Sequence, residues 1–85
     1  MNTKVIVHEF AMGDVEDPEI YAAQPIYEWM KTEHGKWVME NSKPEPIWNM
    51  GFNKNNYGYK VIIIASFSEQ DLTFHQLKYG MNNAR

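Results

Sequence analysis

The 85-residue chain contains no cysteine. Disulfide bridges and thiolate metal centres are therefore excluded, and stability has to come from packing. Long apolar runs are missing too. The longest unbroken one, Val61 to Ala65, falls far short of the ~18–20 residues that span a bilayer as a helix. Met1 to Phe10 does not supply the basic start and apolar segment of ~7–15 residues that a secretory signal needs, so a cytoplasmic location and no membrane are expected. Basic charge is scarce: eight Lys and Arg stand against eleven Asp and Glu, for a net charge of −3. The cations are scattered rather than clustered. That disfavours a broad phosphate-binding surface, and nucleic acid is not expected as a partner.

Motifs of catalysis and cofactor binding are equally sparse. There is no GxGxxG, no P-loop and no GxSxG elbow, and no serine has an evident partner. Histidine ligands at helical spacing are absent (no HxxxH, no ExxH), and Asp14, Glu16 and Asp17 do not follow the calcium-loop pattern. No metal or cofactor is expected.

What is present reads as one globular α+β domain over residues 1–80, with a frayed tail over 81–85. Hydrophobic residues make up 44% and aromatics 14% of the chain, too apolar for a disordered polypeptide. A chain this short buries only ~60–65% of its unfolded surface, so the core is small. Its centre is Tyr57 to Phe67, a run of β-branched and aromatic side chains suited to a pleated strand. Alternation puts Tyr57, Tyr59, Val61, Ile63, Ala65 and Phe67 on one face and Lys60, Ile62, Ile64 and Ser66 on the other. Both faces have apolar middles, as in a strand needing cover on both sides.

Around it, Thr3 to Met12 alternates as a first strand, with Val5 and Val7 opposite Ile6, His8, Phe10 and Met12. Asp17-Pro18 is a helix start, Asp capping and Pro at the first position. From Pro25 to Asn41 one apolar side gathers Ile26, Tyr27, Met30, His34, Trp37 and Val38. Ile20 and Ala23 continue it, which favours one helix kinked at Pro25 over two helices separated there. Trp29 falls at the edge of this stripe, at a boundary. Lys43-Pro44-Glu45-Pro46 ends the helix, Ile47 to Asn53 forms a second strand, and Asn53 to Asn56 turns a hairpin into the third. Ser68 caps a last helix running to about Tyr79, with Gly80 as its stop.

The order β-α-β-β-α, with a right-handed crossover placing strand 1 parallel to strand 3, is a ferredoxin-like layout lacking its last strand. Two helices would cover one face of a three-stranded sheet. The other face would carry exposed apolar groups, with His8, Phe10, Trp48, Tyr57 and Tyr59 as candidate interface residues. Hiding such surface in a C2 homodimer is the common solution. The leading expectation is thus a non-catalytic homodimeric interaction module, its protein partner unspecified.

The alternative is a dimeric α+β barrel whose stacked sheets enclose a small-ligand or enzymatic site, with His8, His34 and Tyr59 as the residues to test. His34, on the apolar side of a helix, reads more simply as a core histidine bonded to a backbone carbonyl; His75, on a short helix, has a weaker claim to a chemical role. A third reading is single-stranded nucleic-acid binding through Tyr57 and Tyr59. RNA-recognition (RRM) domains share the element order and stack bases on third-strand aromatics. The basic residue their motif places before glycine is here Tyr57, and their fourth strand is missing.

Overall fold

The computed structural model describes residues 2–53 and 58–79. Tyr57, Gly80, the Lys54 to Asn56 part of the expected hairpin loop and the 81–85 tail lie outside the described residues. Among those described, three strands form one antiparallel sheet and three helices accompany it: β1 (Thr3–Gly13), α1 (Pro18–Met30), α2 (Glu33–Asn41), β2 (Ile47–Asn53), β3 (Gly58–Phe67) and α3 (Glu69–Lys78). None of these helices is long and apolar enough to cross a membrane.

The Val61–Ala65 run sits in the central strand: the sheet order is β1-β3-β2, and β3 pairs antiparallel with both neighbours. The parallel pairing expected for strands 1 and 3 is therefore wrong. A helical crossover from β1 to β2 leaves those two strands aligned, and the β2–β3 hairpin reverses direction before β3 inserts between them.

Alternation in β3 is as the sequence implies. Val61, Ile63, Ala65 and Phe67 are buried under the helices, joined by Val7, Trp29 and Val38 in the core. Alternation in β1 fails at one point. Ile6 faces Ile64 and His8 faces Ile63, so Val7 is the extra residue of a β-bulge. A bulge sets two residues against one and shifts the side-chain phase. Val5 and Val7 before it, and His8, Phe10 and Met12 after it, consequently lie on one side of the sheet instead of two.

The long helix is broken, but not at Pro25, which stays inside α1. The break is at Thr32. Its hydroxyl donates to the Trp29 carbonyl at 2.6 Å and accepts the Gly35 amide at 3.0 Å, closing α1 and capping α2 with one side chain. Threonine competes for backbone in this way wherever the chain allows it. Gly35 is what allows it. A Cβ there would lie 2.0 Å from the Trp29 carbonyl oxygen, so only glycine lets α2 start this close to the end of α1. The expected two helices are thus three.

The caps differ from one another. Ser68 accepts the Asp71 amide at 3.2 Å, as its sequence context implies. Asp17 occupies the cap position of α1 but makes no side-chain cap bond; its backbone is left-handed (φ 52°) and its carbonyl accepts the Ile20 and Tyr21 amides instead. After α2, buried Ser42 accepts the Ser66 amide at 2.9 Å and donates to the Pro44 carbonyl at 2.8 Å, tying the linker to β3.

Candidate functional site

Two features of the fold could carry function: the sheet face that no described helix covers, and a histidine cluster on the helix side.

Residues paired directly across antiparallel strands share a face. The uncovered face can therefore be read from the register. Ile6, Ile64 and Ile47 form one row across the three strands. Glu9, Ile62 and Asn49 form the next row, followed by Ala11, Lys60 and Gly51. Ile6 and Ile47 are each 54% exposed, and Ile62 and Ile64 are half-buried. Lys60 and Glu9 pair at 2.7 Å, so the charges at one end of this isoleucine patch neutralise each other. Both are about half exposed, so the pair itself adds little stability.

Of the expected interface residues, His8, Phe10, Trp48 and Tyr59 lie elsewhere, and Tyr57 is outside the described residues. His8 and Phe10, carried over by the Val7 bulge, are on the helix side, where His8 stacks on Trp29 with ring centroids 5.3 Å apart. Trp48 pairs with Ile63 and Tyr59 with Met12 and Phe52, again on the helix side. Trp48 is 39% exposed, because α1 leaves an open groove of about 550 Å³ beside β2, lined by Ala23, Gln24, Ile26, Tyr27, Met30 and Trp48. Trp29 is not at a boundary but in the core, and its indole Nε1–H is buried without a partner among the described residues.

The histidines, unrelated in sequence, come together. His34 of α2 and His75 of α3 meet Nε2 to Nε2 at 2.9 Å. Neither finds the backbone carbonyl expected for a core histidine at that nitrogen. Tyr79 stacks on His34 at 4.3 Å and Trp29 meets it edge-on at 5.5 Å. His75 is buried, with the Trp37 and Phe67 rings 5.9 and 5.4 Å away. Burial favours the neutral imidazole. It pushes His34 from 6.5 down to about 4, with positive charge on His75 and His8 adding to the effect. Burial also lowers His75; it lowers His8 as well, against a smaller opposing pull from Glu9.

The signal for this cluster was present but split. His34 lies on the apolar stripe of its helix and His75 lies between Leu72 and Tyr79, on the inward side of its own. Only the placement of both helices on one sheet face makes them neighbours.

Among the described residues no three His, Asp or Glu side chains gather closely enough to hold a metal ion. The two-histidine contact is not metal-like either. Ring centroids 5.0 Å apart with nitrogens 2.9 Å apart mean that the nitrogens face each other nearly head on, as in a hydrogen bond. Two ligands of one ion would instead aim at a common third point. Comparison of the chain with models of known families, with curated proteins and with solved structures returns no match.

Proposed function

We propose that the protein is a homodimeric interaction module that packs two copies through the helix-free face of the sheet. The observation that carries this is the row Ile6–Ile64–Ile47 with Ile62 beside it, displayed where no described helix reaches. Isoleucines on a flat sheet form the kind of contiguous apolar patch that monomers rarely leave wet. A second copy suits the Glu9–Lys60 end of the face, where the ion pair is already neutral, while Lys4, paired with Ser66, sets a charge at the other end of the isoleucine row. The strand order β1-β3-β2, with β3 antiparallel to both neighbours, supports a ferredoxin-like layout without a fourth strand. In that layout the face opposite the helices is the one available for sheet-on-sheet packing.

Size sets the strength. A patch about 25 Å along the strands and 14 Å across three of them is small. It corresponds to about 350 Å² per copy and roughly 700 Å² in total, well below the roughly 1,200 Å² lower bound for standard interfaces. The dimer should therefore be reversible and concentration-dependent. Sedimentation equilibrium tests this: the wild-type chain should shift from monomer to dimer with rising concentration, and Ile64→Lys should remain monomeric with an unchanged circular dichroism spectrum. A wild-type chain that stays monomeric at millimolar concentration overturns the proposal.

A small-ligand or enzymatic role draws support from the lowered His34 pKa, since perturbed titration is enriched at functional sites. Such a site would lie on the helix side with His8, not between stacked sheets. Native mass spectrometry separates the readings, since a retained small molecule favours the ligand site and a bare dimer the interaction module. The nucleic-acid reading gains no such support. Tyr59 shares the helix-covered side, and RRM domains stack bases on the sheet surface.

A further inference from the structure

We infer that the His34–His75 contact is an acid-operated clamp between α2 and α3, closed only while the pair holds a single proton between the facing nitrogens. The geometry carries this. Two imidazole nitrogens 2.9 Å apart can share one N–H, donated by one ring and accepted by the other. If both rings are protonated, two N–H groups point at each other at that distance, and the contact has to open.

The charged groups around the pair reinforce the effect. His34 faces His75 on α3 and, across Trp29, His8 on β1, and both oppose its charge. The neighbouring carboxylate, Glu33, is held by Lys78 at 3.0 Å on the exposed side. Tyr79 contributes a stacked ring.

The element being clamped is the last helix. α3 belongs to neither the sheet nor the α1–α2 pair, and it enters the core through Leu72 and His75. Phe74 is 45% exposed and Leu77 is 84% exposed. Opening the clamp frees the C-terminal half of α3 and uncovers the rings of Trp37 and Phe67.

The direction follows from linkage. A histidine whose pKa is lower in the closed state binds its proton more readily once opened. The clamp is fully effective above pH 6.5 and weakens as pH falls from 6.5 toward about 4. Both rings have lowered pKa values while closed, so opening takes up as many as two protons, and the opening equilibrium rises by about tenfold per pH unit for each proton taken up in that window.

Hydrogen exchange read by NMR, corrected for the intrinsic rate at each pH, tests this. Amides of α3 should lose protection by about tenfold or more per unit below pH 6.5, while β3 amides hold theirs. Ring nitrogen shifts should show His34 titrating near 4 and His75 below 6.5. His75→Phe keeps the aromatic packing without the facing nitrogen and should make the pH step shallower, leaving only the proton that buried His34 takes up. Glu33→Gln, which removes the exposed ion pair, should leave it in place. Imidazoles that titrate near 6.5, α3 and β3 opening together, or a step as steep in His75→Phe as in the wild-type chain would each overturn the clamp. The imidazole titration needs only the wild-type chain, so a variant that fails to fold does not protect the inference.

Discussion

Replacing Gly35 with alanine sets two known effects against each other. By propensity alone alanine should stabilise α2 by about 1 kcal/mol, as glycine is the poorer helix former. The structure reverses the sign. The new Cβ would sit 2.0 Å from the Trp29 carbonyl oxygen and 2.8 Å from the Met30 Cα, all backbone and none of it free to rotate away. Regaining ordinary contact at about 3.5 Å means moving the start of α2 by roughly 1.5 Å from the end of α1. That displacement breaks the 3.0 Å bond from the Gly35 amide to Thr32, worth about 1 kcal/mol as a cap. It also adds the roughly 1–3 kcal/mol of an overpacked site. Set against the propensity gain, the net change is a loss of about 1–3 kcal/mol. Urea unfolding reads this directly: with a slope near 1 kcal/mol per molar for so small a chain, the midpoint should fall by about 1–3 M. A midpoint equal to or above that of the wild-type chain would refute the close-approach account of Gly35.

Three further perturbations probe the caps and the linker. Ser42→Ala removes the acceptor for the Ser66 amide at a buried position, and should lower stability by about 1–3 kcal/mol in the same urea assay; an unchanged midpoint would mean that water replaces the hydroxyl. Asp17→Gly relieves a left-handed non-glycine backbone and removes a side chain that caps nothing. Relief of about 1 kcal/mol and loss of a favourable charge worth about 0.3–1 kcal/mol nearly cancel, so stability should stay within about 0.5 kcal/mol. Ser68→Ala, at a cap whose side chain is bonded, should lose about 1 kcal/mol. Equal losses at the two caps would contradict the difference between them.

Much of the fold was legible because β3 is strongly patterned. Its β-branched run, the Pro-rich linker after Asn41 and the Ser68 cap each act through local chemistry that a sequence displays directly. Val7 was not legible: nothing in Val-Ile-Val-His-Glu announces an extra residue, and a strict period of two then assigns His8 and Phe10 to the wrong side. The helix break escaped for a related reason. Pro25 is the conspicuous helix breaker, yet α1 contains it, whereas the actual break depends on Thr32 and on a close approach that only Gly35 permits. The His34–His75 meeting, across 41 positions, is a tertiary fact. Each histidine could be placed on its inward stripe, but their contact required knowing that α2 and α3 share a side of the sheet.

The bulge at Val7 also bears on how two molecules could join. β1 is a border strand, and a straight border offers a ladder of free amides and carbonyls on which a neighbouring chain can zip. An extra residue bends and twists that ladder partway along, so an incoming strand would lose register where Val7 intrudes. Lateral growth into a continuous ribbon needs both borders and is thereby obstructed at β1, whereas the β2 border keeps an unbroken register with β3.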